Sequence, residues 1–351
     1  MSVPEQVLTN RELEQRVETS DQWIATRTGI HERRIAAEGD LLSDYATEAS
    51  RQALENAGVD PLDVDLILLA TVTPDMPIPA TACTIQHKLG CRNATAFDMQ
   101  AGCSGFIFAQ SVAKQFLLTE RYRHVLVIGA ELLSKYVNWE DRTTCVIFAD
   151  GAGAVLMSQG SLEEEGSLEG EGSLDSERGL EAEGEGESST ETAADKSPRG
   201  VLASAMHTDG SMADFICRPG GGVMHPPSRE MIDEKLHFIR MRGNETFKMA
   251  VRSIEEVCRE VLDAAGLTPG DVDWFIPHQA NRRIIDAVGN RLGVPAERCY
   301  LNIDRYGNTS AASIPIALHE AVQEGKVRRG DVVLMAAFGA GLTWAGSVVR
   351  W

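Results

Sequence analysis

The strongest constraint on this chain is that it carries one pattern twice. Residues 54–67, LENAGVDPLDVDLI, align with residues 262–275, LDAAGLTPGDVDWF, at a constant offset of 208. Each copy reads as a helix end, a glycine cap, a short loop and a buried strand. A helical pattern precedes each, over 45–56 and 247–264. The correspondence continues downstream: 121–129 matches 328–336, and the closing strands 151–157 match 345–350. Between them lie two strand–turn–helix units, one bearing Cys103 and the other Asn308. Strands alternating with helices predict an α/β fold with mostly parallel sheets covered on both faces. Two copies predict two such halves related by a pseudo-twofold axis. Equivalent turns then meet near that axis, which brings Cys103 and Asn308 to one place before any chemistry is invoked.

Cys103 stands in Ala101-Gly102-Cys103-Ser104-Gly105, at the opening of an apolar helix. A helix N-terminus offers free N–H groups and partial positive charge, which favour the thiolate. The alternative for such a cysteine is an inert core thiol. His278 follows the strand pattern of 272–276, in Pro277-His278-Gln279-Ala280-Asn281. Functional groups of open α/β sheets gather at the carboxyl ends of strands; the alternative is a helix-capping histidine. All three residues sit at strand-to-helix turns of duplicated units, which argues for one catalytic constellation.

Composition narrows the setting. No run of about twenty apolar residues is present to span a membrane. The polar N-terminus lacks the apolar stretch of a signal peptide. Seven scattered cysteines without metal-ligand spacing fit a reducing cytoplasm and predict no metal site. A net charge of −19 argues against a general nucleic-acid binder. Ten of those charges fall in residues 159–199, which hold thirteen acidic and three basic residues. That segment repeats GSLEEE, GSLEGE and GSLDSE, with one leucine per repeat. So little apolar surface predicts a disordered acidic loop, joining two strands as an extended hairpin.

The chain resembles the β-ketoacyl-acyl carrier protein synthase III family, the initiating condensing enzymes of bacterial fatty-acid synthesis, within the thiolase-fold superfamily. The resemblance rests on TSDQWIATRTGIHERR (19–34), FDMQAGCSGF (97–106), FADGAGAVL (148–156), GNETFK (243–248), PHQANRRI (277–284), GNTSAAS (307–313) and FGAGLTWAG (338–346). It covers nearly everything outside the acidic insert. It implies layers ordered α-β-α-β-α, divided into a first half (1–158), the acidic loop (159–199), the end of the first half with a cover over the acyl pocket (200–242), and a second half (243–351).

The resemblance implies a Cys–His–Asn site at Cys103, His278 and Asn308. Cys103 would take an acyl group from acyl-CoA, and the other two would stabilise the enolate formed when malonyl-acyl carrier protein loses CO2. Backbone N–H groups of Cys103 and Ala340 would form the oxyanion hole. Trp23 and Arg142 would clamp the CoA adenine and Arg27 a phosphate, while Gly243, Phe247 and Asn281 would line the pantetheine tunnel. Lys248, Arg252, Gln279, Arg282 and Arg283, flanked by Arg240 and Arg242, would dock the carrier protein. Ile78 would reach the acyl pocket across a homodimer. Acyl-CoA would be a substrate, with no cofactor. The family's opening strand, normally upstream of the PEQVLTN segment (4–10), is expected to be missing here. Three other classes are weighed. A papain-like hydrolase also uses Cys, His and Asn, but the duplication argues against it. An inactive partner subunit usually lacks the nucleophile. A related synthase making a specialised β-keto product shares every motif.

Overall fold

The computed structural model describes residues 1–160 and 199–351, and in it the two copies form two four-stranded sheets. The chain opens with β1 (Val7–Thr9), α1 (Asn10–Leu13), α2 (Asp21–Thr28) and β2 (Glu32–Arg34), with β1 and β2 paired antiparallel. The first copy follows as α3 (Leu42–Ala57), β3 (Leu66–Ala70), α4 (Thr81–Leu89), β4 (Thr95–Met99), α5 (Gly105–Leu117), β5 (His124–Leu132) and β6 (Asp150–Ser158). After residue 199 come β7 (Gly200–Thr208) and a small cover of β8 (Ile216–Cys217), α6 (Arg229–Asp233) and β9 (Arg240–Met241). The second copy is α7 (Gly243–Ala264), β10 (Trp274–Pro277), α8 (Arg282–Leu292), α9 (Ile303–Tyr306), α10 (Ser313–Gln323), β11 (Val332–Gly339) and β12 (Thr343–Arg350).

The duplicated segment folds alike in both copies. Gly58 ends α3 at φ 64° and Gly266 follows α7 at φ 68°, left-handed positions that a glycine takes without strain. A one-turn 3-10 helix comes next in each, Pro61–Asp63 and Pro269–Asp271. The buried strands β3 and β10 then begin.

Successive strand residues point to opposite faces, and this decides the layering. Leu66 and Leu68 of β3 share a core with Phe106 and Ile107 of α5, Ile314 of α10 and Met335 of β11. Ile67 and Leu69 instead pack with Ala46 and Ala49 of α3. On the other side, Val257 of α7 and Ile284 of α8 cover Phe275 and Leu334. Helices α5 and α10 therefore lie between the two sheets, and the layers run α-β-α-β-α.

Three expectations need correction. The first sheet, ordered β4-β3-β5-β6, is mostly parallel, but the second, β10-β11-β12-β7, has one parallel and two antiparallel pairings. β6 and β7 do not form a hairpin. β7 pairs with β12, so residues 200–208 belong to the second sheet rather than to the end of the first half. An opening strand is not wholly absent, because Ser2 bridges Ala152 of β6 through two 2.8 Å backbone hydrogen bonds. The expected disorder of the acidic segment concerns 161–198, outside the described residues.

Candidate active site

Cys103 lies in a 3-10 turn, Gly102–Ser104, directly before α5. The turn after β11 is pressed against it. A Cβ on Gly102 would meet Ala340 N at 2.8 Å, and one on Gly339 would meet Cys103 N at 2.5 Å. Glycine is therefore needed on both sides, and the backbone nitrogens of Cys103 and Ala340 become neighbours. Thr343 fastens the seam: its hydroxyl donates to Ala101 O at 2.8 Å, and its carbonyl accepts from Ser104 Oγ at 3.1 Å.

His278 follows β10 and is 3% exposed. Its Nδ1 lies 2.6 Å from Ser313 Oγ, and that oxygen accepts the backbone N–H of Gln279 at 3.3 Å. A hydroxyl that accepts there is free to donate its own proton to Nδ1. This leaves the ring proton on Nε2, which has no protein partner. Burial pushes the imidazole down to about 3, so it is neutral at physiological pH. Asn308 precedes α10 and bridges Phe148 of the opposite half. Its Oδ1 accepts the backbone N–H of Ser310 at 2.8 Å, which turns its amide nitrogen outward as a donor.

One cavity of about 160 Å³ gathers Cys103, His278 and Asn308 with Gly243, Phe247 and Asn281. Ile216 and Met241 of the small cover close part of it. Cys103 opens onto this cavity but is otherwise enclosed by protein. Burial pushes its thiol up to about 11; the Ser310 hydroxyl opposes this, Glu131 reinforces it, and the thiol's own backbone N–H opposes it. Against the acidification expected of the helix end, desolvation is the largest of these effects and acts in the opposite direction.

Trp23 on α2 is flanked by two guanidinium groups, with Arg27 at 4.9 Å and Arg142 at 4.8 Å from its ring. Arg142 also donates to Glu18 O at 2.9 Å. A planar base stacked on Trp23 from that side needs Arg142 to swing aside. Asn281 caps α8 through Arg283 N and donates to Arg27 O at 3.0 Å, tying α8 to α2.

The basic residues divide. Arg252 pairs with Glu256 at 2.7 Å, Arg282 with Asp286 at 3.6 Å, and Arg242 with Asp214 at 2.5 Å. Lys248 and Arg283 are exposed, and Arg283 lies over the Phe247 ring. Gln279 is a correction, because it is 1% exposed. Its amide donates to Pro277 O and Tyr300 O and accepts Asn302 N–H. It braces the His278 turn and offers nothing to a docking surface. Ile78 is 86% exposed, and no cavity-lining residue comes from its loop. Sequence reasoning passed over Ser313, Ser310, Thr343 and Glu131. The two serines and Thr343 stood inside quoted motifs without a role, and nothing local marked Glu131.

Two duplicated halves that bring a cysteine, a histidine and an asparagine to one cavity define the thiolase-like condensing enzymes. The family model described as 3-Oxoacyl-[acyl-carrier-protein (ACP)] synthase III matches residues 97–175, and its C-terminal counterpart matches 262–351. The β-ketoacyl-[acyl-carrier-protein] synthase III of Symbiobacterium thermophilum is 49% identical over 351 residues, covering 100% of this chain and 96% of that protein. The corresponding synthase of Caldanaerobacter subterraneus is 48% identical, covering 99% and 95%. The crystal structure of the Aquifex aeolicus 3-oxoacyl-[acyl-carrier-protein] synthase III superposes with a TM-score of 0.84 at 45% identity, covering 100% and 97%. The chain belongs to the 3-oxoacyl-acyl carrier protein synthase III family. It is a condensing acyltransferase, joining an acyl group from acyl-CoA to malonyl-acyl carrier protein at the start of fatty-acid synthesis. Among the described residues, no helix is long and apolar enough to cross a membrane.

Proposed function

We propose that Cys103 is the nucleophile, and that His278 and Asn308 act in the second half-reaction only. The Cys103 sulfur attacks the acyl-CoA thioester, and CoA leaves as its thiolate. The tetrahedral oxyanion is met by the N–H groups of Cys103 and Ala340. Malonyl-acyl carrier protein then enters the same tunnel. His278 Nε2–H and the Asn308 amide donate to its thioester oxygen as CO2 departs, and the enolate carbon attacks the acyl group on Cys103. The observation that carries this reading is the pair of side-chain donors, each fixed by its other polar atom, turned into the cavity that Cys103 borders.

The CoA nucleotide rests on Trp23, with Arg142 displaced onto the base and Arg27 at a phosphate. Its pantetheine arm passes Gly243, Phe247 and Asn281. The acyl carrier protein docks on Lys248 and Arg283, with Arg252 and Arg282 at the margin. Acyl-CoA is a substrate and the scheme calls on no cofactor. The enzyme works in the cytoplasm as a homodimer formed along β4, one of the two edge strands of the first sheet, whose residues are all at least partly exposed. Ile78 and the 49% exposed Met76 beside it would then be covered by the partner copy, and Ile78 would limit its acyl pocket.

Separating the half-reactions tests this. His278→Ala and Asn308→Ala should still form the acyl-enzyme, seen by intact mass. Each should slow malonyl decarboxylation by about 10²–10³, as for loss of one oxyanion donor. Cys103→Ser should form no adduct. Decarboxylation at the parent rate in both Ala variants would overturn the division of labour.

A further inference from the structure

Resting on the assignment of His278 and Asn308 as the two enolate donors, we propose that Glu320 is a positioning residue for both of them. It touches neither donor. Its carboxylate gathers the segment that leads to Asn308 and, through Asn302 and Gln279, the turn that carries His278.

Glu320 lies on α10, seven residues after Ser313. Seven residues are about two helical turns, so the two side chains leave the same face of the helix. Ser313 meets His278 there. Glu320 is 8% exposed, and a charged group so buried has to be paired and hydrogen-bonded. Four donor atoms satisfy it. Arg305 donates to Oε1 at 2.9 Å and to Oε2 at 3.0 Å, the two-pronged contact that fixes direction as well as distance. The Tyr306 hydroxyl donates to Oε1 at 2.7 Å, and the Asn302 side-chain amide to Oε2 at 2.8 Å.

One branch leads to Asn308. Arg305 and Tyr306 belong to α9, a helix of four residues that cannot sustain itself alone. It ends at Gly307, directly before Asn308. Beyond it, Asn308 N–H donates to Ile147 O, and Asn308 O accepts from Ala149 N–H, both at 2.9 Å. Glu320 therefore fixes the approach to Asn308 from one side, while the opposite half of the molecule fixes it from the other.

The second branch leads to His278. Asn302 gives its side chain to Glu320 and its backbone N–H to Gln279 Oε1 at 3.1 Å. Gln279 follows His278 in the chain, and its backbone N–H rests on the same Ser313 oxygen that holds His278 Nδ1. Two donors from separate turns are thus referred to one face of one helix. The Cys103 turn is fastened separately, by Thr343 and the close approach of Gly339 and Ala340. The two donors must meet a single thioester oxygen, where a displacement of about 1 Å can cost about 10²-fold in rate.

The test measures the half-reactions apart in the parent, Glu320→Gln and Tyr306→Phe: Cys103 acylation by acetyl-CoA, followed by intact mass, and CO2 release from malonyl-acyl carrier protein. Glu320→Gln should slow decarboxylation by about 10- to 10²-fold through kcat, with KM and acylation near the parent values. Its cost should shrink when His278→Ala or Asn308→Ala is already present, because one of its two routes is then gone. Tyr306→Phe removes one hydrogen bond and keeps the ion pair, so it decides the matter if Glu320→Gln folds poorly. It should slow decarboxylation by about 2- to 10-fold and spare acylation. Equal losses in both half-reactions, or a Glu320→Gln cost undiminished in either Ala background, would leave only a structural ion pair and overturn the proposal. Decarboxylation at the parent rate in His278→Ala and Asn308→Ala would instead overturn the donor assignment on which it rests.

Discussion

His278 and Glu131 show one burial effect with opposite signs. Unfolded histidine binds a proton below about pH 6.5, whereas His278 is held at about 3. Its contribution to stability therefore falls as pH drops below about 6.5. An unfolded glutamate gives up its proton above about pH 4.3, whereas Glu131 keeps its own to about 7. Its contribution rises as pH drops through that window. Between about pH 4.5 and 6.5 the two slopes, each at most about 1.4 kcal/mol per pH unit, oppose each other. Urea unfolding across this range should show Glu131→Gln losing stability on acidification relative to the parent, and His278→Gln gaining it. Parallel curves for all three proteins would contradict the assignment. Ser313→Ala should leave acylation intact and slow decarboxylation. An unsatisfied buried Nδ1 costs about 1–3 kcal/mol, roughly 5- to 150-fold in rate if borne by the transition state. The gathering of Cys103, His278 and Asn308 was legible in the sequence because Cys103 and His278 follow the strands β4 and β10 and the duplication sets Asn308 opposite Cys103, although a short helix, α9, and not the expected strand precedes Asn308. Ser313 was not, because its work depends on a contact from a distant part of the chain. Gln279 was misread for a related reason: a polar letter does not reveal that both ends of its amide are already used.

At the level of elements, the proposed docking of the carrier protein falls to two helices, α7 and α8. α7 and α8 pack together, and their paired arginines neutralise much of the basic charge that their sequences display. Lys248 and Arg283 remain on the exposed faces. Lys248→Glu combined with Arg283→Glu should raise the KM for malonyl-acyl carrier protein strongly and change the acyl-CoA half-reaction much less. The defect should shrink in high salt, because surface charge effects are screened. Equal damage to both half-reactions would assign these residues to the fold or to CoA. Most elements could be read directly from apolar spacing and glycine caps. The partner of β7 could not, because nothing in its sequence distinguishes pairing with β6 from pairing with β12. The second sheet's antiparallel share was hidden for the same reason.

For the whole molecule, the acidic segment divides the chain at the seam between the sheets. β6 ends beside His124 of the first sheet and β7 begins beside Arg350 of the second, neither in the catalytic cavity. Replacing residues 161–198 with a short Gly/Ser linker should therefore leave turnover near the parent value, and a large fall with unchanged solubility would give the segment a role. The duplication made the two-sheet architecture legible, since an offset kept over so many residues implies one unit folded twice. Each four-stranded sheet is drawn from one side of this segment alone. A chain cut there would yield two pieces, one holding Cys103 and the other His278, Asn308 and Ala340. Neither piece could condense anything by itself. Their mixture would recover catalysis only as α5 and α10 came back together, so turnover would work as a split reporter that counts reassembled halves.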